Sequence, residues 1–403
     1  MRTGARFSPF CLLMIAIGSL FPLPLFAADK LAVTITYLAQ DIERLAPLSL
    51  LDPIDIPDQG LAGARLGQED NQTTGGFLGH DYQLIDIRVP VDGDMLDAAK
   101  EALGQGNKIL ITDSPAATLL AIADLPEAAD ALILNVSAED DYLRTDECRV
   151  NLLHIIPSRA MKADALAQYL LWKRWREWFL VHGTADADLA MKAAMERSAT
   201  KFGAEIVETR SYEYEATARR TDSGHVQIQT QIPVFTQDAE EHDVIVVADE
   251  SDVFGEYLPY RTWDADPVVG THGLKPTAWH RSHEQWGGTQ MQGRFEKSAG
   301  RWMTEKDYAA WLAVRTIGEA VTRTNSNDPA VLLDYMRSDD FEIAAFKGEG
   351  LTFRTWNNQM RQPVLLVAPR VLVSVSPQDE FLHQRTPLDT LGFDQPETSC
   401  ALG

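Results

Sequence analysis

Asn151–Val181, NLLHIIPSRAMKADALAQYLLWKRWREWFLV, reads as a strand, a short polar break, a long helix and a second strand. The first strand is the apolar run from Val150 to Ile156, and the break is Pro157-Ser158-Arg159. Ser158 is an N-cap residue, which places Arg159 in the first helical turn. Ala163, Leu166, Ala167 and Leu170 then recur at the spacing of one buried helical face. Trp178 to Val181 is the second strand, and Trp172, Trp175 and Trp178 read as core and rim. The stretch is the joint at which the chain leaves one α/β lobe and enters another.

The residues on either side repeat the same alternation. Upstream, Leu31–Leu38, Tyr82–Val89, Lys108–Thr112 and Ala131–Val136 are β-rich runs. Between them lie a helix at Gly60–Gln68, a turn at Thr73–Gly76, a helix at Asp92–Leu103 and one running from a Ser114 cap with Pro115 at its first position to Asp124. The glycines of Gly60–Gln68 match no nucleotide fingerprint and read as close helix–sheet packing. Downstream come helices at Asp188–Phe202, at Val226–Thr236 with a break at Pro233, at Lys306–Thr322 and at Pro329–Met336. Strands are expected at Ile206–Tyr212, Asp243–Ala248, Pro267–Thr271, Leu351–Arg354 and Gln362–Val375. Alternation of this kind implies an α/β protein of two doubly wound parallel-sheet lobes. At 403 residues the chain is long enough for two cores.

Ligands of such sheets bind at the carboxyl ends of strands. That rule selects Gln40 and Arg44, then Thr112, Asp113 and Ser114, Asn135, and in the second lobe His182-Gly183-Thr184, Asp249 and Glu250. Capping and turn chemistry would also account for any one of these residues. Arg159 stands out because a cation in a first helical turn opposes the helix dipole. Either a ligand carboxylate at Ser158 and Arg159, or a carboxylate of the first lobe, would explain it. Trp279 and Trp286 could stack on a planar ligand or form a packing corner. His280, His283 and Glu284 fit no zinc signature, so no metal is expected.

Arg2 and Arg6, the apolar run Phe10–Phe26 and Leu25-Phe26-Ala27 have the order of a cleaved secretory signal covering residues 1–27. The expected location is therefore the periplasm. The formal charge is −23 at pH 7, which argues against nucleic acid and anionic membranes as partners. Past the leader two cysteines remain, Cys148 and Cys400, and an exported protein can pair them as a disulfide. No nucleophile elbow, Cys-x-x-Cys, His-Glu-x-x-His or phosphate loop occurs, so the expectation is binding and not catalysis.

VTITYLAQ (33–40), GLAGARLGQEDNQTTGGFLGHDY (60–82), CRVNLLHIIPSRAMKADALAQYL (148–170) and LDTLGFDQPETSC (388–400) carry a resemblance. Through them the chain resembles type I periplasmic solute-binding proteins of ABC transporters, the branched-chain amino acid receptor class. It is similar within that class to a subgroup associated with pyrroloquinoline quinone (PQQ)-dependent alcohol dehydrogenase systems. The resemblance implies two lobes joined by a three-segment hinge, a ligand in the cleft, no required cofactor and an ABC permease as partner of a monomeric receptor. It sets lobe 1 at 28–156 plus 287–336, lobe 2 at 157–286 plus 337–375, and a C-terminal tail at 376–403. The implied ligand is PQQ, or a small alcohol or carboxylate of the same pathway. A PQQ site would combine cations with flat rings, for which Arg44, Arg159, Trp279 and Trp286 are available. The other reading is a periplasmic PQQ carrier that serves a PQQ-dependent dehydrogenase.

Overall fold

The computed structural model describes residues 30–41, 56–213, 228–400 and 402. The leader at 1–27, Arg44 and most of the 39–58 loop lie outside the described residues.

The first sheet holds β1 (Leu31–Gln40), β2 (His80–Val89), β3 (Ile109–Asp113), β4 (Leu132–Asn135) and β5 (Leu152–His154). Its order is β2-β1-β3-β4-β5 and every pair is parallel. Alternate residues of β1, β3 and β4 enter opposite layers. Val33, Ile35, Tyr37, Ile109, Ile111, Leu132 and Leu134 face one core, while Leu38, Leu110 and Ile133 face another. Burial on both faces is why these runs are continuously apolar and not alternating.

Helices α1 (Leu61–Leu78), α2 (Met95–Gly104) and α3 (Ala116–Ala123) cover this sheet, followed in the chain by α4 (Arg159–Trp172), α5 (Asp186–Phe202), α6 (Ile228–Thr236) and α7 (Leu258–Arg261). The second sheet, β6 (Glu177–His182), β7 (Glu205–Ser211), β8 (Val244–Ala248) and β9 (Val268–Gly270), is parallel in the order β7-β6-β8-β9. Trp178, Leu180, Val244 and Val246 pack with α4 and α5, and Phe179, Val181, Ile245 and Val247 pack toward α6 and α7. The architecture is the two-lobed parallel α/β fold expected. The remaining elements are β10 (Lys275–Thr277), α8 (Gly288–Ala299), α9 (Glu305–Thr324), α10 (Pro329–Met336), β11 (Ile343–Ala344), β12 (Gly350–Phe353), β13 (Met360–Arg361), β14 (Val364–Ala368) and β15 (Val371–Ser376).

Local expectations are corrected at four places. The turn at Thr73–Gly76 is instead part of α1, which runs on to Gly79. A Cβ on Gly75 would meet the Tyr82 ring at 2.5 Å, so that glycine serves packing inside a helix. Gly63 and Gly67 let α1 close on α9, not on the sheet, for a Cβ on Gly63 would lie 1.8 Å from the Asp307 carbonyl oxygen. Ser114 does not cap α3. Pro115 holds the extended cap position and the helix starts at Ala116. α6 passes unbroken through Pro233.

Among the described residues up to Val364 the chain passes between the lobes three times. Ile156 belongs to the first core and Met161 to the second. β10 pairs with β14 in the second lobe, yet Ala278 and Trp279 already pack in the first core, ahead of the expected 286/287 boundary. Ile343, Leu351, Phe353 and Met360 stay in that first core, and the second is re-entered at Val364, well after 336/337. The first and third crossings are bonded together. Gln359 Nε2 donates to the carbonyls of His154 and Ile156 at 3.3 and 3.1 Å, and Gln362 Nε2 donates to Ile155 at 2.6 Å. Cys148 and Cys400 form the expected disulfide, with Cα atoms 5.9 Å apart. Within the 376–403 tail, Leu388 and Leu391 are buried and Leu391 joins the second core.

Candidate functional site

A cavity of about 740 Å³ lies between the lobes. Ser137 and Glu139, just past the carboxyl end of β4, and Glu305, the first residue of α9, form its first-lobe wall. Arg159 and Lys162 of α4, Asp249, Glu250, Asp252 and Glu256 beyond β8, and Thr271, His272 and Lys275 form the opposite wall. Both walls follow from the parallel sheets, whose strand ends converge on one edge of each lobe.

Arg159 reaches this cleft from the start of α4, where Ser158 Oγ accepts from the Met161 N–H. Its Nε and Nη2 donate to Glu250 at 2.9 and 2.7 Å. Nη1 lies 3.2 Å from Asp140 Oδ1 in ion-pair range but has no hydrogen-bond partner. Burial works against the guanidinium charge, and Glu250 outweighs it and raises the pKa. Arg159 therefore joins a first-lobe carboxylate to a second-lobe one.

Lys162, one turn further along α4, donates to Glu139 Oε1 at 2.6 Å and Glu305 Oε2 at 3.0 Å. Glu305 Oε1 also accepts from the Ala278 N–H at 2.6 Å, on the second crossing. Burial pushes the Glu139 carboxyl up to about 7, with Lys162 opposing and Glu305 and Glu250 adding to the rise. Glu139 and Glu305 raise the Lys162 amine above its ordinary value although burial opposes them. On the outer wall His272 Nε2 sits 2.8 Å from Asp252, and this bond holds the Asp252 carboxyl low.

The expected site residues separate into three groups. Arg159 and Glu250 line the cleft and bind each other. Ser114 is buried beside it, where its N–H donates to Ser137 Oγ at 3.0 Å while its own hydroxyl has no partner. Thr112, Ser158, Trp279 and Trp286 are placed elsewhere. Thr112 bonds the Leu134 carbonyl, and Ser158 is spent on the cap. Trp279 is stacked on Tyr308 at 4.7 Å inside the first core, and Trp286 is exposed at the second crossing. The hydrogen bonds of His280 and His283 go to Ser282 and the Phe346 carbonyl. Ser137, Glu139, Lys162 and Glu305 were not anticipated. Lys162 had one legible signal, its position three residues after Arg159 on the same helix face.

Lys347 lies behind the cleft at the third crossing. Its amine donates to Gln362 Oε1 and the Pro363 carbonyl, both at 2.8 Å, and lies over the Tyr308 ring at 5.0 Å. Burial pushes its pKa down to about 7 from 10.5. Between those values the unfolded chain holds the extra proton, so stability should rise with pH, by up to about 1.4 kcal/mol per pH unit. Glu139 acts in the opposite sense. Its folded value is the higher one, so its contribution should fall as pH rises from 4.5 to about 7. Urea titrations across pH should show both limbs. Lys347→Met should flatten the alkaline one and Glu139→Gln the acidic one, and unchanged slopes would mean that these groups are solvated.

A family model described as periplasmic binding protein matches residues 56–225. The chain is similar in structure to a branched-chain amino acid ABC transporter periplasmic ligand-binding protein from Burkholderia xenovorans LB400. That match has a TM-score of 0.70 at 16% identity and covers 92% of this chain and 99% of that one. The chain has a periplasmic binding-protein fold. An ABC transporter substrate-binding protein from Sphaerobacter thermophilus matches at TM-score 0.67 and 15% identity, over 90% of this chain and 100% of that one. The leucine-, isoleucine-, valine-, threonine- and alanine-binding protein from Brucella ovis, in a closed conformation, matches at 0.63 and 14%, over 84% and 89%. A search of curated proteins finds no match. The family match over 56–225 and the fold both agree with the two-lobed binding-protein architecture expected from the sequence.

Proposed function

We propose that this binding protein captures a small zwitterionic solute of the amino acid class between its lobes and presents it to an ABC permease. The observation that carries the reading is the pattern of unmet polar groups around the cleft. Ser114 Oγ is a buried donor without an acceptor, and Arg159 Nη1 meets Asp140 as an ion pair without a hydrogen bond, so a ligand carboxylate would complete both. Asp252 and Glu256 meanwhile leave carboxylate exposed in the cleft for an ammonium group. The similar proteins from Burkholderia, of a branched-chain amino acid transporter, and from Brucella, which is amino acid-binding, support the same ligand class.

PQQ is the competing ligand, from the resemblance to PQQ-associated receptors. Its three carboxylates need free cations and its ring needs a flat partner. Arg159 and Lys162 each already face two carboxylates, which leaves Lys275 as the remaining cation of the cleft wall, too few for three carboxylates, and Trp279 is stacked within the core. The same charge count disfavours any small ligand that is only anionic, and nothing in the cleft is specific to an alcohol. Titration calorimetry with single amino acids and with PQQ tests the choice. Saturation by PQQ at micromolar concentration, with none by any amino acid, would reverse it. For the ligand that binds, Ser114→Ala should cost about 0.5–1.5 kcal/mol and Arg159→Met about 1.5–3 kcal/mol of affinity. Unchanged affinity in both would remove these donors from the site.

A further inference from the structure

The segment from Pro387 to Cys400 touches both lobes, and its anchors leave no slack. On the second lobe the Gly392 N–H donates to Asp164 Oδ2 at 2.8 Å, and Arg197 and Lys201 of α5 each donate to the Gly392 carbonyl at 2.9 Å. Arg197 Nη2 also holds Glu397 Oε1 at 2.9 Å. On the first lobe Thr398 Oγ1 donates to the carbonyls of Arg144 and Thr145 at 3.0 Å, and the Ser399 N–H donates to Thr145 at 3.0 Å. Cys400 is then bonded covalently to Cys148. The Cys148 loop moves with the first lobe, because Leu143 is in its core and Arg149 donates to Asp124 at the end of α3. Glu397 and Thr398 are adjacent residues, so the last second-lobe anchor and the first first-lobe anchor are one trans peptide apart, about 3.8 Å between Cα atoms.

We propose that this segment is a strap, a fourth connection between the lobes closed by the disulfide, and that it limits how far the cleft opens. A hinge of three crossing strands can splay as their backbone torsions change. A fourth tie without slack restricts that motion. To widen the cleft the protein must either break the Glu397–Arg197 and Thr398–Thr145 contacts or pivot about them.

The test compares ligand-free full-length protein with two variants. Cys148→Ser/Cys400→Ser removes the covalent end. The other inserts four Gly/Ser residues between Glu397 and Thr398, keeping both anchors and the disulfide but adding slack. Labels carried on unnatural amino acids at Glu101 in α2 and Leu189 in α5, both exposed, report the distance between lobes. The strap predicts a shift to longer distances and a broader distribution in the insertion variant, matched by the cysteine variant where it folds. An insertion variant that folds and keeps the parent distribution would overturn the proposal, whatever the cysteine variant does.

Discussion

Replacing Lys162 by methionine should lower the unfolding free energy by about 3–5 kcal/mol, since it leaves buried charge without its partner. Methionine keeps most of the side-chain length, so packing loss is small. What changes is that Glu139 and Glu305, both held by the Lys162 amine, face each other across the base of the cleft without a cation. Glu139 is already raised to about 7 with Lys162 present. Without the amine it should rise further, and the protein should relieve the repulsion by taking up a proton. The deficit of the variant should therefore be smaller near pH 5 than near pH 8. Urea unfolding at both pH values measures this. Glu139→Gln in the Lys162→Met background should recover much of the loss, because it removes one of the stranded charges. A single-variant loss below about 1 kcal/mol would place the triad among solvated surface pairs.

That triad also shows where reading the sequence stops. The central strands of both sheets were legible because burial on two faces makes their runs largely apolar, as in LAVTITYLAQ and VIVVA. The misread turn at Thr73–Gly76 had the right local chemistry for a turn. Tertiary packing overrode it, with α1 lying along α9 and Gly75 against Tyr82. Arg159 was legible as an unusual placement, a cation at a helix start. Its partner was not legible as a pair, because Glu250 lies 91 positions away and only the folding of two sheets brings them together. Lys162 and Glu305 are 143 apart, on helices of different lobes. The aromatic residues failed as site candidates for a related reason. Trp279 lies two residues past β10, which pairs with β14 in the second lobe, yet its ring packs in the first core. Charge and ring type narrow the chemistry of a site, but which side of a wall each group faces is set by contacts far along the chain.

Asp389→Ala should be about as damaging as the lysine change, again about 3–5 kcal/mol. Asp389 Oδ1 accepts from Arg354 Nε and from Arg361 Nε, each at 2.8 Å. Arg354 is only 1% exposed, and its Nη2 donates to the carbonyls of Leu388 and Leu391 at 3.2 and 2.6 Å. Burial, with the Arg361 charge as a smaller cause, lowers the Arg354 pKa, and the Asp389 carboxylate is the main group opposing them. Alanine would leave the cation inside with carbonyl dipoles and no counter-charge. Burial also works to raise the Asp389 carboxyl, but Arg354 and Arg361 outweigh it and hold it below 3.8. A depressed carboxylate stabilises the fold above its unfolded value and loses that contribution as pH falls through the folded one. The parent should therefore show an acid limb below about pH 3.8 that the variant lacks, with the full deficit present at neutral pH. Arg354→Met combined with Asp389→Ala separates charge from position. If the cost comes from the stranded guanidinium, the double variant should be more stable than Asp389→Ala alone, measured by urea unfolding at neutral pH. If the double variant is the weaker of the two, then Arg354 acts chiefly through the carbonyls of Leu388 and Leu391. The ion pair would then be secondary to pinning that segment beside the hinge.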